Sequence, residues 1–198
     1  MLARAKDWLS RIKRTFLLGT FPPEMTFVLE VKARNPLLSP RHLVERLGLR
    51  SDSRVLEIGP GSGVYSVETA RAVSHGHLEL LDLQAGMLEK ARLKIENAKL
   101  RNVGFTTADA SERIPFDDES FDVVFMVTVL GEVKRQKECL KEINRVLRRG
   151  GILSISEHLP DPEFVSIKKL RRMLEKHGFL FLSRFGGRWA YTANFERL

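Results

Sequence analysis

The chain predicts an α/β domain built on a mostly parallel sheet, and three observations predict it. Short apolar runs bounded by turn residues alternate with longer segments of helical period. Three of those runs end in a carboxylate, at Glu57, Asp82 and Asp109. A fourth, residues 123–130, is apolar almost throughout, as a strand buried on both faces of a parallel sheet must be.

Taken in order, Ser39-Pro40 starts a helix that ends at Gly48, with Leu43, Val44 and Leu47 as its apolar face and Arg41 and His42 as solvated residues. Val55-Leu56-Glu57-Ile58 reads as a buried strand. Gly59, Gly61 and Gly63 follow at alternate positions, and a helical pattern runs over residues 64–73. Glycines there let the backbone turn sharply and approach a ligand. Strand, loop and helix start form a nucleotide-type binding corner. A dinucleotide fingerprint, G-x-G-x-x-G, needs a glycine where this chain has Val64. A tight turn that binds nothing is the bland alternative, so the later strands decide.

Residues 77–83 form the second strand, which carries Asp82 near its end, and a helix follows over residues 85–98 with Met87, Leu88, Ala91 and Ile95 on one face. An acid at this edge can accept two hydrogen bonds from ribose hydroxyls, which would also suit NAD. The third strand, residues 103–108, ends at Asp109-Ala110. Asp109 is either a ligand contact or a helix-capping or Asx-turn residue, and the ligand reading is preferred. An acidic turn, Ile114 to Asp122, leads into the fourth strand. A helix over residues 135–147 stops at Arg148-Arg149-Gly150-Gly151, where the glycines serve as the stop. Residues 152–157 are the fifth strand. Asp161-Pro162 starts a basic helix over residues 165–176, as N-cap and N1. Residues 179–185 and 189–195, joined through Gly186-Gly187, read as a β-hairpin.

The G-x-G-x-G loop, with Glu57 two residues before it and Asp82 and Asp109 after it, resembles motif I and its partners in the class I S-adenosylmethionine (SAM) dependent methyltransferases. The Ile114-Pro115-Phe116 to Phe121-Asp122 segment is similar to the small-molecule group that includes ubiquinone and menaquinone biosynthesis enzymes, with Ile114 where leucine is usual. Val146 to Gly151 resembles that family's L-[KR]-P-G-G turn, with Arg149 in place of proline. The resemblance covers Leu37 to Leu198. It implies a Rossmann-like seven-stranded sheet of order 3-2-1-4-5-7-6, with the last strand antiparallel and helices on both faces. It also implies SAM as cofactor, held by Glu57, Gly59, Gly61, Ser62, Gly63, Asp82, Leu83, Met87, Asp109, Ala110 and Val127. Asp82 would take the ribose and Asp109 the adenine amino group. The glycine loop would face the methionine part, which carries no phosphate.

At 198 residues with 43% hydrophobic content, the chain is long enough for one domain with its own core. Its one cysteine, Cys139, excludes an intramolecular disulfide and reads as a small buried residue of its helix. No metal-ligand cluster is visible, and neither a membrane span nor a signal peptide is read, so a cytoplasmic protein fits.

The charge is uneven. Residues 1–20 carry five Lys/Arg and one acid, and residues 161–198 carry eight and four, so the middle of the chain is neutral and the whole +8 lies at the ends. Leu2, Ala5, Leu9, Ile12 and Phe16 recur at helical spacing among Arg4, Lys6, Arg11, Lys13 and Arg14. Such a basic amphipathic helix either packs as a lid on the substrate pocket, the preferred reading, or touches an anionic membrane peripherally. Residues 1–35 thus form a helix and connector, running through Phe21-Pro22-Pro23, ahead of a catalytic domain at 36–198. Nucleic acid is not expected as a partner: no recognition module is visible, and two tryptophans and two tyrosines offer few stacking surfaces.

The expected reaction is methyl transfer from SAM to a small, apolar or lipid-associated acceptor. An RNA methyltransferase and a SAM-binding domain without catalysis are the alternatives. In-line displacement at a sulfonium needs mostly positioning. After the fourth strand comes Thr128-Val129-Leu130-Gly131-Glu132-Val133, which lacks both the [D/N]-P-P-[Y/F] signature and the L-H-H of many small-molecule enzymes. Glu132 is the first candidate for a base or substrate contact, and His158 the second. Glu132 could instead cap a helix and His158 could be a solvated loop residue. Tyr65 either faces the substrate or packs.

Overall fold

The computed structural model describes residues 39–159 and 161–198. The expected amphipathic helix and its connector, residues 1–35, lie outside the described residues. Helix α1 (Pro40–Arg46) starts at Ser39, whose hydroxyl accepts from the His42 amide at 3.3 Å, and Leu43 is buried beneath it. There follow β1 (Arg54–Ile58), α2 (Ser66–Ala72), β2 (His77–Asp82), α3 (Ala85–Asn97), β3 (Val103–Thr107), β4 (Phe121–Val127), α4 (Gln136–Val146), β5 (Leu147–His158), α5 (Ile167–Glu175), β6 (Phe179–Gly186) and β7 (Ala190–Arg197).

The strands form one seven-stranded sheet of order β3-β2-β1-β4-β5-β7-β6, as the resemblance implied. All neighbours pair in parallel except β7, which runs antiparallel to both β5 and β6. The order reverses direction between β1 and β4, so the cleft outside their carboxyl ends is where such sheets bind ligands.

The near-continuous apolar run of β4 is explained by two packed faces. Val124 and Met126 join a core with Leu140, Ile143 and Leu170. Val123 and Phe125 point the other way, into a core with Leu43, Leu88, Ala91 and Ile95. Cys139 is fully buried in the first of these cores, and burial pushes its thiol up to about 12, so it is a packing residue. Arg145 of α4 ties down the acidic turn by donating to the Ile114 and Phe116 carbonyls at 3.0 and 2.7 Å and to Asp118 at 2.8 Å.

Several boundaries differ from the sequence reading, each for a local reason. Residues 61–65 are turns rather than helix, so α2 begins at Ser66. Strand β4 ends at Val127, three residues early, because Thr128 turns into the left-handed region at φ 55°. The glycines do not stop α4. It ends at Val146, and Leu147 is already extended and paired with Phe121. Gly150, at φ 69°, lies instead in a β-bulge between the Leu147 and Ile152 pairings. Asp161 is not the cap of α5: it forms an Asx-turn, accepting from the Glu163 amide at 3.0 Å, while Ser166 caps the helix through the Lys169 amide.

Candidate functional site

The carboxyl ends of β1 to β4 open onto a cleft of about 350 Å³. Gly59, Gly61, Asp82, Leu83, Met87, Asp109, Ala110 and Val127 all line it, together with Glu132. Past Gly59, Gly61, Val127 and Thr128, a smaller chamber of about 40 Å³ continues toward Ser62, Tyr65 and His158. The two candidate bases therefore serve different compartments.

The glycine loop is shaped by close approach. Gly59 has φ 68°, and a Cβ placed on it would lie 2.5 Å from Cγ2 of Val129. Gly63 has another purpose. A Cβ there would lie 2.9 Å from the Cα of Ala91, so this glycine lets the loop sit on α3 and lines neither space. Ser62 is likewise turned inward in part: its buried hydroxyl accepts from Lys94 at 3.2 Å, and it reaches only the smaller chamber.

Glu57 is 2% exposed, and its carboxylate accepts from the Ser66 hydroxyl at 2.6 Å. Burial raises its carboxyl to about 8. It lines neither space, so its part is to fasten the start of α2 beneath the glycine loop.

Asp82 closes β2. Its carboxylate accepts from the Gln84 amide at 2.9 Å and is also reached by the amides of Leu83 and Gly61, so it joins the strand end to the loop. Burial raises its pKa, and these amides oppose the rise. Asp109 behaves differently. Its Oδ1 accepts from the Ser111 hydroxyl and amide at 2.6 and 2.8 Å, and the Ser111 hydroxyl, then that amide, hold its carboxyl below the usual range. The Asx-turn expected as the alternative for Asp109 is formed, with Oδ1 committed to it and Oδ2 3.8 Å from Arg135 at the edge of the cleft.

These residues fit a flat base, a ribose and a small zwitterion. Two carboxylates stand at adjacent strand ends. Met87, Ala108, Ala110 and Val127 supply apolar walls, and the Gly59 cradle admits no side chain. Asp82 and Leu83 would hold the ribose edge, and Asp109 with Ala110 the base.

His158 ends β5 and is 5% exposed, not a solvated loop residue. Its Nδ1 donates to the Leu159 carbonyl at 3.2 Å, since a carbonyl can only accept, and this bond fixes the orientation of the ring. Tyr65 both lines the chamber and packs on the core, and burial raises its phenol so that it stays protonated. Sequence reasoning missed Thr128, which lines both spaces, and Arg135, Gln84 and Asp161, which line the cleft. Ser111, two residues after an Asp in a turn, carried a local signal for its role; Arg135 carried none. Among the described residues no cluster of His, Cys, Asp or Glu could hold a metal ion, and no helix is long and apolar enough to cross a membrane.

Comparison with known proteins places this geometry. Residues 56–155 match the family model described as a methyltransferase domain. The chain is similar to the ubiquinone/menaquinone biosynthesis C-methyltransferase UbiE of Pseudomonas paraeruginosa, 37% identical over 119 residues, which are 59% of this chain and 46% of that protein. UbiE of a Ruegeria species is 30% identical over 73% of this chain and 56% of its own length. The chain spans about half the length of the curated relatives it matches. In fold it is similar to a SAM dependent methyltransferase from Aquifex aeolicus, with a TM-score of 0.82 and 23% identity over 90% of this chain and all of that one.

Proposed function

Because the chain belongs to the methyltransferase-domain family, with SAM as its cofactor, we propose that it transfers the methyl group to a carbon atom of a small, apolar, lipid-associated acceptor. Methyl transfer and the cofactor follow from family membership; the carbon atom and the acceptor are the proposal. The observation that carries it is the wall beyond the glycine loop. Val127, Val129 and Val133 line it, and the segment offers no Asp-Pro-Pro or Asn-Pro-Pro group to orient an amino nitrogen. That the curated relatives are named as C-methyltransferases agrees with it.

When bound, SAM supplies an electrophilic methyl on a neutral leaving group. The chain does the rest by positioning and proton handling. Asp82 and Asp109 orient the nucleoside. Val127 and Val129 keep water from the reacting carbon. If the acceptor is a hydroxylated aromatic ring, loss of the hydroxyl proton makes the neighbouring ring carbon nucleophilic. The methyl–sulfur bond would break as the carbon–carbon bond forms. The ring carbon would then release its own proton to restore the aromatic ring, leaving one proton in all to be taken up. Glu132 in the cleft or His158 in the chamber is the group to take it.

The test is transfer of tritiated methyl from SAM into a bacterial lipid extract and, in parallel, into total RNA. Label in the organic phase that survives both alkaline hydrolysis and hot hydriodic acid, which releases oxygen- and nitrogen-bound methyl as methyl iodide, supports the proposal. Label confined to RNA refutes it.

A further inference from the structure

We propose that the β6–β7 turn is a docking tip that seats on an anionic lipid bilayer and holds the mouth of the cleft against it. The inference gives the proposed lipid-associated acceptor its route and rests on that reading only for its purpose. Strand β6 is parallel to β1–β5, so its end at Gly186 and the turn that follows lie at the sheet edge that carries the cleft. The Leu159 amide donates to the Trp189 carbonyl at 2.8 Å, and His158 pairs with Ala190. The tip is therefore one residue away from the wall of the smaller chamber.

Large apolar side chains are exposed along this hairpin, with Leu180 and Leu182 on β6 and the aromatic pair Phe185 and Trp189 at its tip. Trp189 is 60% exposed, Phe185 39% and Leu159 38%, whereas Phe179, Tyr191 and Phe195 of the same hairpin are buried. Cations surround the exposed rings: the Arg188 guanidinium lies 4.6 Å over Trp189 and that of Arg46 5.5 Å over Phe185. Between Glu175 and Glu196 the chain has no acid, so the hairpin tip brings Arg184 and Arg188 with no acid of its own, and the nearest acids belong to other elements: Glu175 of α5, which shares a groove with Arg184, and Asp161, two residues after Leu159. An indole prefers the headgroup level of a bilayer, and arginines pair with lipid phosphates while their stems stay in apolar surroundings. A nucleic acid would use the cations but find no stacking row, and the aliphatic Leu159 offers a base nothing.

The experiment is sedimentation of the full chain with vesicles of phosphatidylcholine alone or mixed with phosphatidylglycerol. The expected result is binding to the anionic vesicles, weakened by salt and reduced roughly thirty-fold in Arg184→Glu/Arg188→Glu/Trp189→Ala. SAM binding by calorimetry is to stay unchanged in that variant, which separates loss of docking from misfolding and from failure of the methyltransferase reading. In a Trp8→Phe background, the Trp189 emission is to shift blue on anionic vesicles and be quenched by brominated lipid. Undiminished vesicle binding by the triple variant, a Trp189 emission indifferent to lipid, or capture of RNA in place of vesicles would each overturn the proposal.

Discussion

The cofactor end and the acceptor end of the cleft are built in opposite ways. At the end proposed for the cofactor, the lining comes from the carboxyl termini of strands and the turns that follow, with Met87 from the first turn of α3, and the backbone does much of the holding. Asp82 is fixed by three amides, and Asp109 by Ser111. At the acceptor end, the lining comes from the segment after β4 and from the last residue of β5, and it holds side chains rather than a backbone cradle. The difference teaches where the fold ends and the choice of reaction begins. A doubly wound sheet dictates the first end, whereas loop side chains decide the second.

Substitutions at the acceptor end break the comparison most sharply. If Glu132 or His158 takes the acceptor's proton, Glu132→Gln or His158→Asn lowers kcat about a hundred-fold or more. The Kd for SAM should stay within about two-fold, because the proposal gives both residues the acceptor's proton rather than a hold on the cofactor. Steady-state kinetics beside calorimetry separates the two, and an equal loss of SAM affinity would dissolve the distinction between the ends.

The cofactor end was legible because its signals are local. An apolar run that ends in an acid or a glycine names both the strand and the residue at its mouth, as at Ile58-Gly59 and Leu81-Asp82. The roles that were not visible depend on contacts distant in sequence. Ser62 meets Lys94, 32 residues later, and Gly63 is required by Ala91. No spacing rule near the loop could show either. The same holds for Asp161, whose Asp-Pro signature was a sound local reason for a helix start. Ser166 took the cap, and Asp161 lines the cleft. Likewise Gly150 looked like a helix stop and is a bulge in β5. The charge at the two ends of the chain was visible from the outset, but the turn that gathers exposed Trp189 beside Arg188 appears only once β6 and β7 are paired.

Gly59→Ala probes the boundary between the ends, since its Cβ would meet Val129 at 2.5 Å with φ at 68°. It is expected to cost about 2 kcal/mol of stability in urea unfolding and to weaken SAM binding about ten-fold. Adding Val129→Ala, which vacates the clash, should recover part of both losses. A double variant no better than the single one would show that φ alone is at fault.

The gentlest probe is pH. Glu57 has its carboxyl raised from 4.5 to about 8 by burial. Between those values the folded chain keeps a proton that the unfolded chain releases, so stability is highest below 4.5 and falls as pH rises through about 8. The fall is on the order of a few kcal/mol. Asp82 is shifted upward too and adds a slope of the same sign. Glu57→Gln keeps an acceptor for Ser66 and removes the larger slope, so its urea midpoint should change less between about pH 5 and about pH 9 than that of the unaltered protein. Parallel curves for the two proteins would mean that Glu57 is ionised in the fold.

The measurement that bears most directly on the account is calorimetric titration of SAM into the unaltered protein and into Asp82→Ala. The account predicts one site per chain, with affinity about a hundred-fold weaker in the variant, since a buried charged acceptor is lost where the ribose would bind. No heat of binding at about millimolar SAM, which corresponds to roughly 4 kcal/mol or less of binding free energy, or equal affinity in both proteins, would contradict it.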